Sequence, residues 1–93
     1  MEIDSIRHKA LRRFAETGNE KGLPEPQRLK RMLTYLAFVS KFEEFAVPPN
    51  FGFHPLTGDL KGRCAMTVTK NWRLTFTKVD EQTIGDLDLE DYH

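Results

Sequence analysis

The chain has 93 residues, of which 39% are hydrophobic and 30% charged, and its formal net charge is zero. These numbers fit one ordinary globular domain, 1–93, with a modest core. No apolar run approaches the roughly 18 residues of a membrane span, and the acidic first residues do not resemble a signal peptide, so we expect a cytoplasmic protein with no membrane partner. The one cysteine, Cys64, can form neither an internal disulfide nor a cysteine-based zinc site.

Two amphipathic helices are predicted in the first half of the chain. Asp4 or Ser5 can cap the first helix, Gly18 can end it, and Pro24 and Pro26 suit the start of the second. We expect the two helices to form an antiparallel hairpin that packs on a sheet. Their apolar positions follow helical spacing, namely Ile6, Ala10, Leu11 and Phe14, then Leu29, Met32, Leu33, Leu36 and Ala37.

The second half predicts an antiparallel meander of three strands from about Arg63 to Glu90. Apolar and polar residues alternate with period two in the first two strands, which are joined by a hairpin link at 69–71. Ile84, Leu87 and Leu89 indicate the third strand. With a short strand at Ile3, a helical turn at 42–45 and an extended segment at 51–56, the order of elements predicts an α+β fold.

Charge is unevenly distributed although its sum is zero. Between residues 7 and 31 eight Lys and Arg face three Glu, and residues 61–78 contain five Lys and Arg and no acid. Two basic regions suit a polyanionic partner, but a solvated charged surface explains them as well, and charge alone favours that reading. Asp86, Asp88 and Glu90 alternate along the last strand, where we expect a solvated acidic edge rather than a metal site.

The chemistry-bearing residues form a set that needs no metal or other cofactor. It contains two imidazoles, a guanidinium, a carboxylate and a phenol: His54, His93, Arg73, Asp91 and Tyr92. RNA can be cleaved by such groups, since a base removes the 2′-hydroxyl proton, a cation holds the phosphate charge and an acid protonates the departing 5′-oxygen. The forked guanidinium of an arginine suits the phosphate. Strand alternation lets these groups meet only if the last strand twists, or bulges near Glu90.

Three motifs, in this order, resemble the HigB-type toxins of the RelE/ParE superfamily. They are His54-Pro55-Leu56 with Gly58-Asp59-Leu60-Lys61-Gly62, then Asn71-Trp72-Arg73-Leu74-Thr75-Phe76, then Glu90-Asp91-Tyr92-His93. The resemblance covers essentially the whole chain. It implies a toxin of a type II toxin–antitoxin system that cuts mRNA in the ribosomal A site without a metal. The implied partners are the 70S ribosome, mRNA and a HigA-like helix-turn-helix antitoxin, with DNA contacted only through the antitoxin.

The same resemblance implies roles for individual residues. Positions matching His93 and Asp91 serve proton transfer and orientation, His54 is a second proton-transfer or phosphate-contacting group, Tyr92 stacks on a base, and Arg73 supports phosphate binding. Seven cations would contact ribosomal RNA, namely Arg12, Arg13, Lys30, Arg31, Lys61, Arg63 and Lys70.

Two alternatives to cleavage stay open. The chain could be a non-catalytic gyrase poison like the ParE branch, which generally lacks the terminal Asp-Tyr-His, or an inactive module that binds RNA or a partner. The second alternative is kept open by Thr57, which stands where the family loop usually carries a lysine, and by Arg63-Cys64, which stand where the family usually carries an aromatic residue.

Overall fold

The structure, a computed structural model, describes residues 1–60 and 62–91. Two α-helices come before most of the sheet, α1 (Lys9–Thr17) and α2 (Pro26–Phe38). The five strands are β1 (Glu2–Ile3), β2 (His54–Pro55), β3 (Arg63–Thr67), β4 (Trp72–Asp80) and β5 (Thr83–Asp91). Short 3₁₀ turns lie at Phe42–Ala46 and Gly58–Leu60. Within the described ranges, no helix is long and apolar enough to cross a bilayer.

The five strands form one sheet in the order β1-β5-β4-β3-β2. β1 runs parallel to β5, and every other neighbouring pair is antiparallel. The predicted meander is β3, β4 and β5, and the predicted α+β fold, with helices at the N-terminal side and a mainly antiparallel sheet, is confirmed. The sequence predicted that the acidic residues of the last strand form an edge of the sheet. This prediction was wrong, because β5 lies between β1 and β4.

One side of the sheet forms the core with both helices. The strands contribute alternating apolar side chains, and the helices contribute five of the positions that their spacing predicted. Of the other four, Ala10 and Leu33 are half-buried, Ile6 lies before α1, and Ala37 is exposed, so the prediction was wrong for Ala37. The fully or almost fully buried members are Leu11, Phe14, Leu29, Met32, Leu36, Cys64, Met66, Leu74, Phe76, Ile84, Leu87 and Leu89. The other side of the sheet, here called the polar face, carries the alternate positions Arg63, Thr67, Arg73, Thr75, Thr77, Asp88 and Glu90.

A β-bulge in β5 sets which of its side chains face the core. Thr75 pairs with Asp88 and Thr77 with Gly85, so two residues of β5 oppose one residue of β4. Asp86, in this bulge, has a left-handed backbone with φ 50°. The bulge explains how Ile84 and Leu87, three residues apart, are both buried. It lies four residues before Glu90, and the register is regular from Asp88 to Asp91. The bulge expected near Glu90 is therefore absent from the described part of β5, and the bulge at Asp86 does not move Asp91 to the face of Arg73.

The first helix begins later than predicted, with a different cap. Backbone groups of the segment before it are bonded to β5, since the N–H of Asp4 donates to the carbonyl of Ile84 and the N–H of Leu87 to that of Ser5. The segment is therefore extended where the prediction placed a helix cap. His8 caps the helix instead, because its Nδ1 accepts the N–H of Leu11 at 3.2 Å.

A cluster of aromatic rings supports the segment that leads into β2. Phe45, in the predicted helical turn, is fully buried, and its ring centroid lies 5.2 Å from that of Phe53 and 5.5 Å from that of Phe76. Phe42 completes the cluster, with its ring at right angles to that of Phe45. Such edge-to-face contacts add to the free energy of burial, so the backbone just before His54 is held by core packing.

Phe45→Ala is expected to lower the free energy of unfolding by about 3–5 kcal/mol, because it removes a buried ring and leaves a cavity beneath β2. The matched control is Phe38→Ala, since Phe38 is 85% exposed and its loss should change stability by less than about 1 kcal/mol. Urea unfolding of both variants measures the difference. Equal losses would contradict the assignment of Phe45 as the anchor of this cluster.

Candidate active site

His54 lies on the edge strand β2 with its imidazole exposed to solvent. Its Nδ1 is 2.9 Å from the carbonyl oxygen of Gly52. Because a carbonyl can only accept, Nδ1 carries the proton, and in the neutral ring Nε2 then carries the lone pair. His54 can therefore take up a proton at an atom that faces away from its backbone anchor.

The turn before His54 depends on two residues with positive φ. Phe51 and Gly52 have φ values of 54° and 70°, and the carbonyl of Phe51 accepts the N–H of Thr67 at 2.8 Å. A Cβ at Gly52 would lie 3.2 Å from Oγ1 of Thr67, so glycine is required both by its backbone conformation and by this close approach. This turn directs the Gly52 carbonyl to the imidazole.

The register brings His54 and Arg73 to the same side of the sheet. His54 pairs with Ala65, Ala65 with Thr75, and Arg73 lies two residues before Thr75 on β4. Directly paired residues of antiparallel strands point to the same face, so both His54 and Arg73 belong to the polar face. Neighbouring strands are about 4.8 Å apart and each residue rises about 3.4 Å along a strand, so two strand spacings and a two-residue offset separate the two backbones by about 12 Å. That spacing leaves room for a phosphate or sugar between two long side chains.

Asp91 pairs with Trp72, and Glu90 pairs with Arg73. As far as the described end of β5 at Asp91, this register places the side chain of Glu90 on the face of Arg73 and that of Asp91 on the opposite face. Asp91 is exposed at the end of β5. The predicted site residues Tyr92 and His93, and the predicted RNA contact Lys61, lie outside the described residues.

The guanidinium of Arg63 binds within the sheet. Its Nη1 donates to Oγ1 of Thr77 at 2.9 Å, and its Nη2 donates to Oγ1 of Thr75 at 2.8 Å and to the carbonyl of Asp86 at 2.9 Å. Arg63 therefore connects β3 with β4 and with the bulge of β5. Its predicted contact with RNA stays a prediction, and its internal contacts give it a structural role as well.

The remaining predicted RNA contacts lie on other parts of the surface. Lys70 is exposed in the hairpin between β3 and β4, at the end of the sheet where Arg73 lies. Arg12, Arg13, Lys30 and Arg31 are exposed on α1 and α2, which cover the opposite side of the sheet from His54. Of the predicted residues that the structure describes, His54, Arg63 and Arg73 thus share one face of the sheet, and the helical cations lie on a separate surface.

Comparison with known proteins identifies the family. A family model described as the RelE-like toxin of the type II toxin–antitoxin system HigB matches residues 4–93. The chain belongs to the HigB-like toxins. It is also 34% identical to the protein named Endoribonuclease HigB of Proteus vulgaris, over 96 aligned positions that cover 98% of this chain and 99% of that protein. The resemblance drawn from the three motifs is confirmed, and membership of a type II system implies an antitoxin partner.

Two polar residues of this toxin's polar face, Thr75 and Glu90, were not among the predicted site residues. Thr75 is fully buried, and its hydroxyl donates to Oε2 of Glu90 at 2.6 Å. The signal was the spacing of three between Ile84 and Leu87, which requires a bulge between them. After the bulge, alternation with the buried Leu87 and Leu89 puts Asp88 and Glu90 on the face of Arg73 and Thr75.

The described parts of the toxin provide no ready metal site. Across residues 1–60 and 62–91, no three His, Cys, Asp or Glu side chains are grouped so that they could hold an ion. Cys64 is buried in the core face of β3, and burial raises the pKa of its thiol, with a smaller opposing effect of the charge of Arg63. Its thiol is therefore mainly protonated at neutral pH, which suits a packing role rather than a nucleophile.

Proposed function

We propose that this HigB-like toxin is an endoribonuclease that cuts mRNA in the A site of the ribosome without a metal ion. The observation that carries the proposal is the placement of His54 and Arg73 on the same face of the sheet, in a chain 34% identical to a protein named as an endoribonuclease. His54 has a ring nitrogen with a lone pair that can accept a proton, and Arg73 has a guanidinium whose N–H groups can bind a phosphate.

The reaction we propose is an internal transfer at phosphorus. A base removes the proton of a 2′-hydroxyl, the 2′-oxygen attacks the adjacent phosphorus, and the bond to the 5′-oxygen breaks as an acid protonates that oxygen. The products are a 2′,3′-cyclic phosphate and a free 5′-hydroxyl. Arg73 balances the negative charge that develops on the phosphate oxygens.

The proton-transfer roles are divided among His54, Asp91 and His93, with Tyr92 stacking on a base. His54 is exposed to solvent on the edge strand β2, where a bound RNA strand can be reached by a second surface as well. We infer that the ribosome positions this RNA strand, through contacts of ribosomal RNA with the predicted cations. The proposed partners are thus the 70S ribosome, mRNA and a HigA-like helix-turn-helix antitoxin, all in the cytoplasm.

Inducible expression in bacteria tests the proposal, with the wild type beside His93→Ala and His8→Asn. We expect growth arrest and new mRNA ends within codons for the wild type and for His8→Asn, which loses an imidazole but keeps a side chain able to cap α1. His93→Ala should remove both effects. The new ends should carry a cyclic phosphate and a 5′-hydroxyl. Equal growth arrest by His93→Ala, or inhibited DNA supercoiling with unaffected translation, would contradict the proposal and favour a gyrase poison.

A further inference from the structure

A chain of hydrogen bonds crosses the polar face from β3 to the end of β5. Nη2 of Arg63 donates to Oγ1 of Thr75 at 2.8 Å, and the same hydroxyl donates to Oε2 of Glu90 at 2.6 Å. Since an arginine can only donate and a threonine hydroxyl has one proton, the proton of Thr75 must point to Glu90. Thr75 is fully buried, and a low local dielectric strengthens the hydrogen bonds of a buried hydroxyl.

The two residues at the ends of this hydrogen-bonded series are Arg63 and Glu90, and each has a further contact or pairing. At one end Arg63 is anchored independently of Thr75, by Oγ1 of Thr77 and the carbonyl of Asp86. At the other end Glu90 is the direct cross-strand partner of Arg73, which places their Cβ atoms about 4.5–5.5 Å apart. Glu90 also immediately precedes Asp91. The hydrogen-bonded series therefore connects the contacts of Arg63 within the sheet to Glu90, which lies beside Arg73 and Asp91 of the proposed active site.

We propose that Arg63, Thr75 and Glu90 are positioning residues for Arg73 and for the end of β5. A glutamate beside an arginine has several rotamers, and some of them would set its carboxylate against the phosphate that the arginine binds. The hydroxyl of Thr75 holds the Glu90 carboxylate in one rotamer, so that its charge has a defined place beside Arg73. This inference rests on the proposed function, because the geometry it preserves is that of the RNA-cleaving site.

The test compares variants that alter the two threonine partners of Arg63. Thr75→Val keeps the shape of the side chain and removes its hydrogen bond to Glu90, whereas Thr75→Ser keeps the hydroxyl. Thr77→Val is the matched control, because it removes the other threonine partner of Arg63 and leaves the hydrogen bond of Glu90 in place. We expect Thr75→Val to slow single-turnover cleavage of ribosome-bound mRNA by about 10- to 100-fold, since misplacement on an ångström scale has effects of this size. Its affinity for the ribosome should change less than about twofold. Thr75→Ser and Thr77→Val should cleave within about threefold of the wild type.

A second pair of variants separates positioning from direct participation. Glu90→Gln keeps an oxygen that can accept from Thr75, whereas Glu90→Leu does not, so we expect Glu90→Gln to retain more activity. This pair also carries the test if Thr75→Val does not fold, as judged by circular dichroism. Equal losses in both Glu90 variants, equal losses in Thr75→Val and Thr77→Val, or wild-type cleavage by Thr75→Val would overturn the inference. If the wild type itself does not cleave, the proposed function fails and the inference fails with it.

Discussion

Arg73→Ala is expected to slow cleavage of ribosome-bound mRNA by about 10²–10³-fold, the loss typical of removing one group that stabilises transition-state charge. Arg73 lies on the polar face, on the central strand of the sheet, and it reaches the same side as His54. Arg73→Lys should lose less, because it keeps the positive charge while it lacks the fork that matches two phosphate oxygens. Single-turnover cleavage, measured at saturating ribosome concentration, reports the chemical step.

The control for Arg73 is Lys78→Gln, which removes a positive charge from the same strand. Lys78 is exposed and pairs with Glu81 at 2.6 Å, in a contact that carries little free energy at the surface. This variant should cleave at the wild-type rate. Equal effects of Arg73→Ala and Lys78→Gln would mean that the loss follows net charge alone, and wild-type cleavage by Arg73→Ala would remove Arg73 from the site.

His54→Ala is expected to slow cleavage by about 10²–10⁴-fold, the range for loss of a general acid or base. The informative variant is His54→Asn. Its side-chain amide can donate to the Gly52 carbonyl, as Nδ1 of His54 does at 2.9 Å, but an amide cannot act as a proton acceptor or donor in acid–base catalysis. If His54 transfers a proton, both variants should be slow.

Three outcomes for the two His54 variants distinguish the roles that His54 can have. Slow cleavage by both variants supports proton transfer through Nε2. Wild-type cleavage by His54→Asn together with slow cleavage by His54→Ala would assign His54 to shaping the Phe51–Gly52 turn, and would contradict proton transfer. Wild-type cleavage by both would exclude the imidazole from the reaction. Circular dichroism and urea unfolding check that the variants fold.

The helices and strands could be predicted because each follows a local pattern. Helical spacing in α2 and alternation in β4 predict which side chains are buried. Leu29, Met32, Leu36, Leu74 and Phe76 are indeed buried. The cap of α1 could not be predicted in this way. Asp4 and Ser5 are good capping residues, but their backbones pair with β5, and this long-range pairing prevents the local cap.

For the candidate site, the residue types and the family were readable from the three motifs, and the comparison with HigB-like toxins confirms the family. The hydrogen-bond partner of each residue could not be predicted from the sequence. Arg63 was predicted to face RNA, whereas its guanidinium donates to three groups of the sheet. A side chain that can donate five hydrogen bonds binds whatever acceptors surround it, and those acceptors come from strands 10 or more residues away in the chain.

The sequence by itself determined the α+β class, the apolar face of each element and membership of a toxin family, because these follow from residue types and their spacing along the chain. Only the tertiary structure decided that His54 and Arg73 share a face, that the bulge lies at Asp86, and that Thr75 is bonded to Glu90, the cross-strand partner of Arg73. The reason is strand register: moving a bulge by a few residues changes which side chains of β5 face the core and which stand beside Arg73.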